Sequence, residues 1–231
     1  MSRIRIISYL PNPRVYKATI VARYSGAEIE VLGDKPPEMA NCLWDYDAFK
    51  MTDADKQTHA DALRQAKTGF QGGVYKTDAF LKANPFGDIP MAFVNDGADG
   101  VFESNSLMRL AALIGPNAPV LYGSTPYEQA RIEGFLDKTV LLAEQLQKYV
   151  VVGAELSLAD VVMVCEFALM SYEGQMGDAL DKLGCDALLP RLAEYGVLYA
   201  HIERLLAIEA FRQDLAPYAK FMGFEGHAAT A

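Results

Sequence analysis

In the first part of the chain, segments with the hydrophobic pattern of a strand lie on either side of a segment with the pattern of a helix. Residues 4–9 are rich in apolar, β-branched side chains, and apolar residues alternate with glutamates over residues 27–32, so both segments are typical of strands. Between them, residues 15–24 carry apolar side chains at helical spacing and end at Ser25-Gly26, a helix-stop signal. The chain is therefore predicted to open with a strand, a helix and a second strand.

The next segment, residues 33–74, has no regular pattern. It contains Pro36-Pro37 and the single tryptophan, Trp44, and its polar stretch over residues 52–67 is predicted to be helical. Regular signals return with a short predicted helix over residues 77–83. We therefore expect residues 33–74 to form an irregular insert.

The rest of the chain continues the α/β pattern and then becomes all helical. Residues 91–94 and 101–103 flank an Asn-Asp-Gly turn, which predicts an antiparallel hairpin before a helix over residues 104–114. After Pro126 there is no strand pattern. The helices predicted there span residues 127–149, 158–172, 188–207 and 210–221. We therefore expect an α/β unit at residues 1–115, a short linker, and an all-α unit at residues 126–231.

Composition and charge narrow the classes of function. The chain has 231 residues, 30 acidic against 21 basic side chains and a net charge of −9, which argues against nucleic-acid binding because phosphate backbones need a basic face. The longest apolar stretch, residues 149–170, is interrupted by three acidic residues and is not expected to span a membrane. Three widely spaced cysteines form no metal or disulfide pattern, so we expect a reducing, cytoplasmic compartment and no metal.

The order of elements is that of a thioredoxin-like domain, and a first candidate site lies at Ile89-Pro90. A proline that begins the third strand after a tight turn at Gly87 is compatible with a cis peptide bond. In that geometry the backbone N–H and C=O of Ile89 project from the sheet edge and can pair with a peptide-like ligand. A plain strand-initiating trans proline is the alternative.

A second candidate site is Glu103-Ser104, where a predicted strand meets a predicted helix. Free N–H groups and the helix dipole make such a junction receptive to a carboxylate, and the Ser104 hydroxyl can donate to it. Glu103 can pair with an ammonium group, so the segment could hold both charges of an amino-acid end. The alternative is that Ser104 only caps the helix.

A third candidate is Asn12, at the start of the first predicted helix. A thiol bound there would need a hydrogen-bond donor that favours its thiolate, and an amide N–H donates without taking up the proton. The alternative is that Asn12 is a helix cap.

Together these features resemble the glutathione transferase superfamily. The resemblance rests on residues 84–90, on Phe102-Glu103-Ser104-Asn105-Ser106 and on the capping box at residues 157–160, and it covers nearly the whole chain. It implies a thioredoxin-like half that binds glutathione and an all-helical glutathione-transferase C-terminal domain that completes a pocket for an electrophile. By that resemblance, Ile89 and cis-Pro90 would hold the cysteinyl backbone, and Asn12 occupies the position of the catalytic residue.

The same resemblance assigns the γ-glutamyl end of glutathione to Glu103 and Ser104. Within the superfamily, the chain is most similar to the N-terminal domain of the translation elongation factor gamma subunit, through segments such as residues 158–165. It departs from that group because the segment of residues 33–74 is longer than the corresponding segment of the family. This segment includes the position at which the family binds the glycine carboxylate of glutathione. Lys35 and Gln71 are the candidates there.

Three further residues are expected near the second substrate. Tyr9 ends the first strand close to Asn12, and Tyr122 and Arg131 lie where the second-substrate pocket should begin; ordinary packing is the alternative for each. The resemblance also implies a symmetric homodimer. The leading hypothesis is a glutathione transferase; the alternatives are a non-catalytic interaction module that binds elongation factor subunits and a reductase that uses Cys42.

Overall fold

The computed structural model describes residues 3–66, 70, 72–94, 97, 99–117, 119–139, 156–175, 177–184 and 186–227. The strands are β1 (Ile4–Ile7), β2 (Ile29–Leu32), β3 (Cys42–Trp44), β4 (Ala48–Lys50), β5 (Leu63–Gln65), β6 (Gly73–Lys76), β7 (Met91–Val94) and β8 (Asp99–Phe102). The helices of the α/β part are α1 (Pro13–Ser25), α2 (Pro36–Met39), α3 (Asp53–Thr58), α4 (Asp78–Ala83) and α5 (Ser104–Ile114). Those that follow are α6 (Pro119–Tyr122), α7 (Pro126–Thr139), α8 (Leu158–Met170), α9 (Gly177–Leu183), α10 (Gly196–Ala207) and α11 (Glu209–Ala219).

The first sheet has the strand order β2-β1-β7-β8. Strand β1 pairs parallel with β2 and antiparallel with β7, and β7 pairs antiparallel with β8. This topology, with α1 crossing from β1 to β2, confirms the predicted strand-helix-strand opening and the predicted hairpin. The protein therefore has a thioredoxin-like domain followed by an all-helical domain.

Helix α1 is the element on which the two halves meet. It begins with Asn12 as its N-cap and Pro13 at its first position, and it ends at Gly26, whose φ of 77° is left-handed. One apolar core runs from β1 through α1 and α5 to α8, and Val15, Leu107 and Val162 are fully buried in it. Residues from both halves therefore share a core.

The helical half follows its predicted pattern with one break. At the start of α8 the Asp160 carboxylate accepts hydrogen bonds from the Ser157 N–H at 2.7 Å and hydroxyl at 3.0 Å, as the capping signal predicts. The predicted helix over residues 188–207 is divided, because a 3₁₀ helix (Leu189–Glu194) ends at Tyr195 and α10 begins at Gly196. Helix α6 lies inside the predicted linker, and part of the predicted helix 127–149 lies outside the described residues.

The insert is folded, so its prediction as an irregular segment was wrong. Strands β3 to β6 form a second sheet with the order β4-β3-β6-β5. The predicted helix over residues 52–67 is described up to residue 66, and there its helical structure is limited to α3 and a 3₁₀ turn (Ala60–Ala62). Strands β3, β4 and β5 have only three residues each, fewer than the four over which an alternation can be recognised. The buried Trp44 anchors this sheet through edge-on contacts with Phe70 and Phe80 at 5.4 and 5.9 Å between ring centroids.

Within the described residues, no helix is both long and apolar enough to cross a membrane.

Candidate functional site

The three sites predicted for glutathione lie at one end of the first sheet. Ile7 at the end of β1 pairs with Met91 at the start of β7, and Met91 pairs with Phe102 at the end of β8. The chain segments just beyond these three positions are the loop into α1, the residues that precede β7, and the turn into α5. The register therefore brings Asn12, Ile89-Pro90 and Glu103-Ser104 to the same end.

The Ile89-Pro90 peptide bond is cis, which settles the alternative that the sequence left open. Pro90 is buried and Ile89 is half-buried. No hydrogen bond joins the backbone of Ile89 to another residue in the described part of the chain. Its N–H and C=O therefore remain available to an extended ligand at the sheet edge.

A buried asparagine holds the loop that precedes this bond. The Asn84 side chain is fully buried, and its amide donates to the Asp88 carbonyl at 2.8 Å. Its oxygen accepts from the Phe86 N–H at 3.2 Å, and Gly87 adopts a φ of 67° that glycine tolerates best. These contacts fix the position of Ile89 without using its backbone groups.

Glu103 has an unusual backbone conformation. Its φ is 72°, and it is the only non-glycine residue with a positive φ among the residues the structure describes. Such a conformation costs about 1–3 kcal/mol and is most often kept at functional sites. The carboxylate is exposed and makes no hydrogen bond or ion pair with another described residue, so it is available to a cationic group.

Ser104, the first residue of α5, is held by a buried lysine. The Lys17 ammonium donates to the Ser104 hydroxyl oxygen at 3.1 Å and to the Asn105 side-chain oxygen at 2.9 Å, and it forms an ion pair with Glu166. The Lys17 side chain is only 2% exposed. Because Lys17 engages a lone pair of the Ser104 oxygen, the hydroxyl hydrogen can be donated to a ligand.

Asn12 is fully buried and caps α1. Its oxygen accepts from the Arg14 N–H, and its amide donates to the Ser8 hydroxyl, both at 3.0 Å. Asn12 therefore caps the helix, which was the alternative role predicted from the sequence. The donor role toward a thiolate stays a prediction, and it depends on the second hydrogen of the amide.

A cavity of about 460 Å³ lies beside α1, next to this end of the sheet. Its lining includes Leu10 and Pro11 before α1, Tyr16 on α1, and Lys35 and Asp214 on the loop after β2 and on α11. Its volume is within the range of small-molecule pockets. Lys35, a candidate for the glycine carboxylate, therefore lies at a cavity, whereas Gln71 lies outside the described residues.

The three residues expected near the second substrate are not brought together. Tyr9 is half-buried against the core of the insert, and burial raises the pKa of its phenol. The Tyr122 hydroxyl bonds to Glu133, which also binds Arg109 at 2.8 Å, and the Arg131 guanidinium lies 5.9 Å from the exposed Tyr127 ring. None of the three lines the cavity beside α1, and their role near a second substrate stays a prediction.

Several residues at this site were missed by the sequence reasoning. They are Lys17, Glu166 and Tyr16. The sequence does contain a signal for Lys17. It precedes Ile20 by three residues and Val21 by four, so it lies on the apolar face of α1, where a charged side chain needs a buried partner. Its partner on α8, far away in sequence, carries no such signal.

The two cysteines that the structure describes offer little thiolate chemistry. Burial raises the pKa of the Cys42 and Cys165 thiols, which keeps both protonated at neutral pH. In the described part of the chain, no group of three or more His, Cys, Asp or Glu residues has the arrangement of a metal site.

About half of the chain is similar in sequence to elongation factor 1-gamma proteins. No family model matches the chain. Elongation factor 1-gamma 2 of Oryza sativa subsp. japonica is 32% identical over 127 residues, which cover 54% of this chain and 21% of that protein. The chain thus spans about a fifth of the length of the curated relatives it matches.

Comparison with solved structures gives the fold. Glutathione transferase E6 of Drosophila melanogaster superposes with a TM-score of 0.56 at 13% identity, covering 100% of this chain and 99% of that one. A glutathione transferase homologue of Drosophila mojavensis, solved with bound glutathione, has a TM-score of 0.54 at 12% identity and covers 100% of both chains. The predicted glutathione transferase fold is confirmed, and both superpositions cover 100% of this chain.

Proposed function

We propose that the protein binds glutathione and transfers its thiolate to a small electrophile. The observation that carries this proposal is the convergence of two unused recognition groups at one sheet end. Among the described residues, the backbone of cis-bonded Ile89-Pro90 has no hydrogen-bond partner, and the Ser104 hydroxyl accepts from Lys17 without donating to another residue. A ligand that combines a peptide backbone with a free amino-acid end uses both groups, and glutathione is such a ligand.

Each part of glutathione has a proposed partner. Ile89 would pair with the cysteinyl backbone as an added strand, next to Pro90. The Ser104 hydroxyl and the N-terminus of α5 would hold the γ-glutamyl carboxylate, and the Glu103 carboxylate would hold the ammonium. The buried charge of Lys17 adds a positive potential behind the carboxylate. The acidity of the whole chain does not oppose this anion, since these local groups set the potential at the site.

The thiol is proposed to lie at the first turn of α1. Asn12 would donate the second hydrogen of its amide to the thiolate, and Lys35 at the cavity rim would pair with the glycine carboxylate. Bound there, the thiolate is oriented toward an electrophile in the neighbouring space, which raises the rate by proximity. We also propose that the protein acts in the reducing cytoplasm and that it is a homodimer. Light scattering in solution, which measures the molar mass, tests the dimer.

The test of this function combines binding and turnover. Titration calorimetry with reduced glutathione should give saturable one-to-one binding, and a generic aryl halide should be conjugated by the protein in the presence of glutathione. S-Methylglutathione is the matched control, since it should bind without supporting conjugation. Absence of glutathione binding would contradict the proposal.

A second candidate function is a non-catalytic module that holds partner proteins. The identity of 32% to an elongation factor 1-gamma over about half of the chain favours it. In that case the protein should co-purify with elongation factor subunits from its own cell extract, and Ser104→Ala should leave that association unchanged. Glutathione turnover without any such association favours the enzyme instead.

A further inference from the structure

Strand β4 of the insert lies at one edge of the second sheet, and among the described strands it pairs only with β3. At one end of this ladder the Asp45 N–H donates to the Asp47 carbonyl at 2.9 Å. At the other end the Met51 N–H donates to the Asn41 carbonyl at 3.0 Å. Bonded and non-bonded pairs alternate in an antiparallel ladder, so Phe49, midway between these ends, is in a bonded pair and directs its N–H and C=O toward β3.

The neighbours of Phe49 therefore have backbone groups that point away from the sheet. The C=O of Ala48 and both the N–H and the C=O of Lys50 make no hydrogen bond to another described residue. The Ala48 N–H donates to the Asp47 carboxylate at 2.8 Å. These three unused groups can pair with a strand that is added at the edge formed by β4.

The two sides of this edge differ in chemistry. Successive side chains of a strand point to opposite faces, so Phe49 lies on one face and Lys50 on the other. Phe49 is 45% exposed and gives its face an apolar surface. The Lys50 ammonium is bound by the carboxylates of Asp34 at 2.9 Å and Glu38 at 3.1 Å, so carboxylates outnumber the cation on its face.

This pairing also removes the usual protection of an edge strand. A lysine in an edge strand discourages pairing with another chain by its charge. The charge of Lys50 is already compensated by two carboxylates, and it does not repel a basic strand.

The hairpin of β3 and β4 is held in place at both ends. The Trp44 indole N–H donates to the Met39 carbonyl at 3.0 Å. The Tyr46 ring, in the turn between the two strands, contacts the Phe93 ring of β7 edge-on at 5.4 Å. Because the edge is ordered in advance, a segment that binds there does not have to order the hairpin.

Charge selects the kind of segment that fits. Residues 34–62 carry seven acidic and three basic side chains, which is nearly half of the net charge of −9. Asp53 and Asp61 are exposed, and their carboxylates have no cationic partner among the described residues. A second copy of this chain would bring the same negative charge to the edge, whereas a basic segment is attracted to it.

We propose that the edge formed by β4 binds an extended segment of a partner protein in which basic and apolar residues alternate. The backbone of the segment pairs with Ala48 and Lys50. The residue opposite Phe49 is in a non-bonded pair, in which side chains lie closest, and it packs on the Phe49 ring. The basic residues on either side of it face the carboxylates around Lys50. The site uses none of the residues proposed to bind glutathione, so it stands apart from the proposed function.

Peptides of defined sequence test the charge and the strand. A fluorescein-labelled peptide of alternating arginine and valine should bind saturably in fluorescence anisotropy, and one of alternating glutamate and valine should not. A peptide of alternating arginine and proline has the same charge as the first but lacks the N–H groups of every second residue, and it should not bind either. Failure of the arginine-valine peptide to bind overturns the inference, and so does equal binding of the arginine-proline peptide.

Variants of the protein locate the contact. Phe49→Ala should weaken binding of the arginine-valine peptide by about tenfold. Glu38→Gln should weaken it by about two- to threefold, the effect of an exposed charge. Leu63→Ala is the matched control, because Leu63 is 48% exposed on the opposite edge strand β5, and it should leave binding unchanged. Equal losses in Phe49→Ala and Leu63→Ala would contradict a site at β4.

Hydrogen exchange, measured by NMR, tests the backbone pairing directly. In the complex the Lys50 amide should exchange more slowly than in the free protein, whereas the Phe49 amide, already bonded to β3, should change little. Unchanged exchange at Lys50 in the peptide complex overturns the inference. Protection of this amide in the free protein that is lost on dilution would assign the edge to a second copy and overturn it too. None of these measurements contains glutathione, so their failure leaves the proposed function untouched.

Discussion

The Lys17 ammonium lies 3.1 Å from the Ser104 hydroxyl oxygen and forms an ion pair with Glu166 of α8. One buried cation thus joins α1, the start of α5 and the helical half. The position of Ser104 depends on a contact between the two halves, although the serine belongs to the first. We infer that the geometry of the proposed carboxylate site is set by the packing of α8 on α1.

Replacing this lysine tests that coupling. Lys17→Met leaves the partly buried Glu166 carboxylate without its cation. Removing one partner of a buried ion pair typically costs about 3–5 kcal/mol. Because the Glu166 side chain is 18% exposed, we expect a loss at the lower end of that range. The free energy of unfolding, measured by urea denaturation, should fall accordingly. Glutathione affinity should fall as well, because Ser104 loses its donor.

The double variant Lys17→Met with Glu166→Leu separates stability from binding. Removing both charges should restore most of the free energy of unfolding, since a buried ion pair can be replaced by apolar groups at little net cost. Glutathione affinity should remain low. Recovery of both quantities together would mean that Lys17 acts on the site through stability alone.

The two residues at the start of α5 allow a direct test of the carboxylate and ammonium contacts. Ser104→Ala and Glu103→Gln should each weaken glutathione binding by about 1–3 kcal/mol, the cost of leaving a charged or polar partner unsatisfied. Ser106→Ala, two residues further along, serves as the control and should bind like the wild type. If both site variants also bind like the wild type in calorimetry, the γ-glutamyl site lies elsewhere.

Asn12 has two roles that different substitutions separate. Asn12→Ala removes the cap of α1 and should lower the free energy of unfolding by about 1 kcal/mol. Asn12→Asp keeps a capping oxygen and removes the amide donor, so the helix should be retained while the thiol pKa of bound glutathione rises. Ultraviolet absorbance of the thiolate across a pH series measures that pKa. An unchanged value in Asn12→Asp would exclude the amide as the thiolate donor.

The sequence was informative wherever periodicity or local chemistry set the structure. The strand-helix-strand opening, the hairpin, the cap at Asn12 and the start of α5 at Ser104 all follow from patterns within a few residues. Pro90 was predicted to begin a strand, and its cis bond was one of two alternatives. These features also carry the resemblance to the glutathione transferase fold.

The remaining features depend on contacts between distant segments. In the insert, Trp44 packs against both Phe70 and Phe80, and three of the four strands have only three residues, which is too few to give a periodic signal. The ion pair of Lys17 joins positions 149 residues apart. Pairing across such a separation cannot be read from a single sequence.

Cys42 provides a test of the reductase alternative. Burial, and secondarily the Asp34 and Glu38 carboxylates, raise the pKa of its thiol, although Lys50 acts in the opposite direction. A raised pKa leaves less thiolate at pH 7, so Cys42 should react with iodoacetamide more slowly than a cysteine peptide does, and the rate should rise only at more alkaline pH. Peptide mapping by mass spectrometry identifies the modified residue. Faster alkylation than in the peptide would favour the reductase.

The backbone at Glu103 yields a last prediction. Its φ of 72° is one that glycine adopts freely, so Glu103→Gly should relieve strain of about 1–3 kcal/mol, offset by about 0.4–1 kcal/mol of extra entropy in the unfolded chain. The net expectation is a gain of about 1 kcal/mol in the free energy of unfolding. Glu103→Ala is the control, because it also removes the carboxylate but keeps a side chain at the strained position.

Both variants should bind glutathione more weakly than the wild type, since both lack the partner of the ammonium group. The glycine variant should nevertheless be more stable than the alanine variant by about 1–2 kcal/mol in urea denaturation. Gain of stability together with loss of binding is expected where strain is retained for recognition. Equal stabilities of the two variants would show that the turn into α5 stores no strain at Glu103, and the argument that this backbone is shaped for a ligand would then fail.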